Sequence, residues 1–165
     1  MARIRDFEEG EVSAEQSRVR DAIAAGPRGV VVGPLRVWLH SPELAERAQS
    51  LGAFCRYSTS LPQRLSELAI LVTGAHWRAG FEWHTHAPLA IAAGVPAEAV
   101  EEMRRGGQPV FADPELRAIH DFSRELVTAQ RVSDATYARA REMFGDKALV
   151  DLVGILGYYT LIAMT

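Results

Sequence analysis

Glu67, Glu82 and His86 are carboxylates and an imidazole placed close together in the chain, the side-chain types that move protons near neutral pH. Glu82 and His86 are four residues apart, so on a helix they lie about 40° apart around the axis and share a face. His84 is two residues from each and points elsewhere, so the two rings of His84-Thr85-His86 diverge on a helix and form no clamp. Glu67 interrupts the apolar run from Leu65 to Val72, which predicts a part-buried carboxylate. An unpaired buried charge is costly, so Glu67 needs a partner, and His86 is the obvious one. In that arrangement His86 serves as general acid and base, Glu67 orients and charge-stabilises it, and Glu82 is a second proton-transfer group.

Each residue also has a plainer reading. Glu67 and His86 also read as a structural ion pair between two helices, and Glu82 as a solvated carboxylate favoured by a helix start. His84 fits a surface or interface imidazole, and Trp77 and Trp83 fit packing roles. Arg64 is either a solvated charge near a helix start or the anchor of an anionic substrate. Carboxylates and imidazoles on facing helices build metal sites as well, usually from a repeated Glu-x-x-His. Here the spacing is Glu-x-x-x-His and has no second copy, so no metal is expected. Neither GxGxxG nor a P-loop occurs, and no organic cofactor is expected.

The elements that must position these groups are helices. Ser13 with Gln16 three residues on forms a capping-box signal, and Gly26-Pro27 ends that helix. Residues 26–34 read as a loop, with Val30, Val31 and Val32 as a short strand lacking any partner. Ser41-Pro42-Glu43 opens a helix, with Leu44, Ala48, Leu51 and Cys55 recurring at helical spacing. Ser60-Leu61-Pro62 restarts the chain into the stripe Leu65, Leu68, Ala69, Leu71 and Val72. A helix follows from about Phe81 to Ala93, then a short one from Val95-Pro96, stopped by Gly106-Gly107. Asp113-Pro114-Glu115 opens a helix to about Ala129, Ser133 opens the next, and Gly145 closes it. The last helix starts near Asp146 and is apolar nearly all round, so it must be central or buried between subunits. Its apolar end leaves open a continuation past Thr165. The stretch from Leu65 to Leu71 faintly echoes Leu149 to Ile155. The expectation is an all-α fold, one multi-helix domain over residues 1–165 with a polar lead-in at 1–12.

Composition narrows the function classes. The chain has 165 residues, 48% hydrophobic and 24% charged, which suits a packed core rather than disorder. A net charge of -3 offers no basic face, so nucleic acid is not an expected partner. The run from Leu152 to Met164 is too short to span a membrane, and the N-terminus has no signal-peptide pattern. Cys55 is the only cysteine, which excludes an intrachain disulfide and a CxxC pair. Cys55 reads as a buried small hydrophobe, and a cytoplasmic protein is the default expectation.

The stretch from Arg64 and Glu67 through Glu82-Trp83-His84-Thr85-His86 to Ala90 and Gly94-Val95 resembles the carboxymuconolactone decarboxylase family. Its signature is a glutamate, then fifteen positions on an acid or cysteine, then a histidine four further, followed by Ala and Gly-Val. The family includes alkylhydroperoxidase D-like proteins, and the resemblance implies their all-helical fold and a homo-oligomer. The redox branch carries two cysteines where this chain has Ala79 and Glu82, so the Glu-Trp-x-x-His version looks like the cysteine-less, decarboxylase-type branch. That implies a lyase acting on a small carboxylated lactone or related acid, with Glu67, Glu82 and His86 catalytic. Arg64, Trp83 and His84 would then contact the anionic substrate. Two alternatives stay open: a peroxide-handling protein using Cys55 with a partner thiol, and a non-catalytic helical oligomer that binds a small acid.

Overall fold

A computed structural model describes residues 3–8 and 10–165. Among them the regular structure is helical throughout, with no strand, as the sequence predicts. The helices are α1 (Ala14–Ala25), α2 (Pro34–Trp38), α3 (Pro42–Tyr57), α4 (Gln63–Trp77), α5 (Gly80–Ala92), α6 (Ala97–Arg104), α7 (Pro114–Ala129) and α8 (Asp134–Met164). They fall into two compact units, residues 1–58 with Thr165, and residues 59–164.

In the first unit, α1 begins with the expected capping box. The Ser13 hydroxyl accepts from the Gln16 N–H at 3.2 Å, and the Gln16 side chain accepts from the Ser13 N–H at 2.8 Å. Val19 and Ile23 are the buried residues of α1, which packs on α3. The valine run makes no strand, and Val30 and Val32 are exposed. Just beyond it Gly33 takes a positive φ of 54° and Pro34 starts the single-turn α2, which the sequence reading missed. The stripe expected on α3 holds at Ala48 and Cys55 and is corrected at Leu44 and Leu51. Leu44 and Leu51 are 43% and 48% exposed, whereas Ala45, Ala48, Gly52 and Cys55 are buried. The inward face is the one with small side chains, because small residues let helix axes approach closely.

The second unit is built around α4, which touches α5, α6, α7 and α8. Ten consecutive α4 residues, Leu65 to Gly74, are buried. A helix covered on all sides must be apolar nearly all round, and this one is, apart from Ser66, Glu67 and Thr73. Thr73 returns its hydroxyl to the Ala69 carbonyl at 3.0 Å. After Trp77 only Arg78 and Ala79 precede α5. Arg78 adopts the left-handed conformation (φ 52°, ψ 39°), and the Ala79 N–H closes on the Gly74 carbonyl at 2.9 Å, turning α5 back along α4.

Two further features frame α4. The Asp113 carboxylate caps α7 by accepting from the N–H groups of Glu115 and Leu116 at 2.8 and 3.4 Å. At Gly145 the backbone of α8 leaves helical geometry (φ 77°, ψ 170°), a conformation that favours glycine, at the boundary the sequence predicts. Beyond it Leu149, Leu152, Ile155, Leu156 and Tyr159 are buried, and α8 packs on α4 and α7. By length and composition α8 is apolar enough to cross a membrane, and half of that apolar window is buried within the protein. The echo of Glu67 on α8 is Asp151, also buried. It accepts from the Ser60 N–H and hydroxyl, both at 2.7 Å, and from Lys147 at 2.8 Å.

Candidate active site

Glu67 lies in the second turn of α4, facing α5 instead of solvent. His86 lies in the second turn of α5. The two meet at 2.7 Å, Glu67 Oε2 to His86 Nδ1, with 3% and 4% of each residue exposed. A carboxylate only accepts, so an ionised Glu67 fixes Nδ1–H as the donor and leaves Nε2 as the nitrogen with the free lone pair. The His86 ring is met edge-on by Tyr159 of α8, with centroids 5.1 Å apart and planes at 89°. Thus α4 supplies the carboxylate, α5 the imidazole and α8 the aromatic wall.

Glu82 stands one turn before His86 on the same face, in the first turn of α5. It is 3% exposed, so it is not the solvated helix-start carboxylate of the plainer reading. Its Oε1 is buried with no hydrogen-bond partner among the described residues. Burial raises the Glu82 pKa above the usual carboxylate range, opposed by its own backbone N–H and by the nearby His86 charge. A carboxyl group shifted this way holds its proton to higher pH and becomes a better donor at neutral pH. Glu67, Glu82 and His86 are therefore all buried, the first and last as a hydrogen-bonded pair and Glu82 with its Oε1 unpartnered among the described residues. Among the described residues no three His, Cys, Asp or Glu side chains converge for a metal ion.

The predicted binding residues separate. Trp83 and His84 line a cavity of about 620 Å³, walled by the α4–α5 connection and the end of α6. Arg64 does not join them. It bridges Asp113, at 2.5 Å, and Glu115 in the first turn of α7. That guanidinium is held by two carboxylates, ties α4 to α7, and lies outside the lining that carries Trp83 and His84. Gly74 links the cavity to the buried group: it lines the cavity, and a Cβ built on it would sit 3.5 Å from Cβ of Glu82.

Sequence reasoning missed Tyr159, Gly74 and Arg78. Tyr159 carries no local signal, since its place beside His86 arises only when α8 packs on α4. Gly74 reads as one more small residue in an apolar helix. Arg78 had a usable signal, because it follows the last residue of α4 and cannot extend the buried stripe.

The family model described as Carboxymuconolactone decarboxylase family matches residues 42–125. That span holds Arg64, Glu67, Glu82, Trp83, His84 and His86. No curated protein matches the sequence.

Proposed function

The chain belongs to the carboxymuconolactone decarboxylase family, and on that premise we propose that it is a carboxy-lyase acting on a small carboxylated lactone or related acid. The observation that carries this reading is the buried 2.7 Å pair of Glu67 and His86, with Glu82 buried one turn earlier on α5 and its Oε1 unpartnered among the described residues. Loss of CO2 leaves the electron pair of the broken C–C bond on the substrate. A neighbouring unsaturated carbonyl takes that pair as an enolate, and a proton delivered to carbon completes the reaction. His86 moves that proton through Nε2 while Glu67 holds Nδ1 and stabilises the imidazolium. Glu82, kept toward its neutral form by burial, is the second proton-transfer group. Enclosure among apolar helices strengthens these interactions, because little water is present to screen them.

The fold does not favour the peroxide reading. That chemistry needs an accessible thiolate, and Cys55 is fully buried. Replacement by serine is expected to leave any activity per folded molecule unchanged.

The direct test is CO2 release from a panel of carboxylated lactones and related unsaturated acids. Release from at least one member, lost in His86→Asn, is the expected result. Binding of such acids by wild type without release from any of them would make the protein a binder and overturn the lyase reading.

A further inference from the structure

Arg64 lies outside the cavity and is paired to two carboxylates, so an anionic ligand in the cavity needs another cation, and the lining supplies one. It includes Arg78, His84, Arg104 and Arg105 and no aspartate or glutamate. The three arginines are not equivalent. Arg104 is held by Glu101 at 2.7 Å, and Arg105, just past the end of α6, by Glu102 at 2.9 Å. Arg78 has no carboxylate partner within ion-pair distance among the described residues and sits in the two-residue connection between α4 and α5.

The Arg78 backbone decides how the residue can be replaced. At a φ of 52° a residue with a Cβ is disfavoured; the chain uses glycine at Gly94, Gly106 and Gly145, where φ is likewise positive, and a non-glycine residue also at Gln130 (φ 55°). Glycine would close the same turn with less strain, so the guanidinium can be removed there without cost to the turn. Trp83 lines the same cavity and adds an aromatic surface. A cavity of about 620 Å³ falls in the usual range for small-molecule sites.

The geometry points to Arg78 as the residue that binds the carboxylate of a small organic acid in this cavity, with Trp83 beside it. This deepens the proposed function and rests on it for the reaction, but binding of an acid is measurable without turnover. Succinate is the probe, with succinamide as its uncharged counterpart, and calorimetry is the readout. Arg78→Gly removes the guanidinium and relieves the backbone. Arg78→Asn removes it in a residue that tolerates positive φ, should glycine loosen the turn.

Both variants should melt no lower than about the wild-type temperature and bind succinate about 10- to 100-fold more weakly, the usual worth of a hydrogen-bonded charge pair. Arg78→Lys should fall between, since a lysine keeps the charge without the planar fork. Succinamide should bind far more weakly than succinate to wild type. Arg104→Ala should stay within about 3-fold of wild type, because its charge is already paired at the surface. The inference is overturned if wild type fails to bind succinate, if both neutral Arg78 variants bind it as wild type does, or if Arg104→Ala loses as much. Failure of the lyase reading would show differently: Arg78-dependent binding would persist with no CO2 released from any acid.

Discussion

Glu67 and His86 stand 19 residues apart and meet at 2.7 Å across two helices, with almost no surface left to solvent. A buried carboxylate and imidazole at that distance stabilise each other only as a pair. A change to either one is therefore also a change to the environment of the other.

Replacing His86 separates catalysis from architecture. His86→Asn is expected to lower turnover by about 10²–10⁴-fold, the usual contribution of general acid–base catalysis, while an acid ligand still binds. The double variant Glu67→Gln with His86→Asn keeps shape and polarity, so its melting temperature should change only modestly. Steady-state kinetics with a thermal melt as fold control checks both. Full turnover in His86→Asn would remove it from the mechanism.

Glu82 carries a stability signature that depends on pH. Burial raises its pKa above the ordinary value of about 4.3. Between that value and the raised native one, the folded chain keeps a proton that the unfolded chain releases. This contribution to stability is complete below the ordinary value and is lost as pH rises through the native one. Glu82→Gln cannot ionise, so it should melt higher than wild type at pH 8 and differ less from it at pH 4, with turnover reduced. Equal melting differences at the two pH values would show that Glu82 does not ionise at a cost.

Arg64 should behave as a structural residue. Its partners Asp113 and Glu115 are partly exposed, which limits the pair's worth to about 1 kcal/mol. Arg64→Ala is expected to lower the denaturant midpoint by that order and leave KM within about 2-fold. A tenfold rise in KM at unchanged stability would make Arg64 the anchor.

A homo-oligomer is proposed on the outward face of α8, where Val150 is 72% exposed and Val153 49%. Self-association would cover them. Sedimentation at micromolar concentration should show more than one subunit, and Val150→Glu with Val153→Glu should shift the mass to the monomer. A wild-type monomer under those conditions contradicts the proposal.

What could be read from the sequence followed the range of the forces involved. Ser13 with Gln16, Asp113-Pro114 and Gly145 act within a few residues, and each marked its boundary correctly. The Glu67–His86 pair was legible because an ionisable group inside an apolar helix must find a counterpart, and the next helix offered one. The ion pairs of Arg64 were not legible, because its partners lie 49 and 51 residues away and nothing local announces them. On α3 the reading held for Ala48 and Cys55, but hydrophobicity also pointed to Leu44 and Leu51, where close packing selected Ala45 and Gly52. Tyr159 reaches His86 only through tertiary packing of α8.

The two-residue link between α4 and α5 also bears on how the site assembles. Closing so short a connection costs little chain entropy, and contacts of low sequence separation tend to form early in folding. Glu67 and His86 are therefore joined by the most local of the packed helix pairs, whereas Tyr159 arrives from far along the chain. A circular permutant opened between α6 and α7 would keep the proton-handling pair on one continuous segment and would re-route only the delivery of α8 to it.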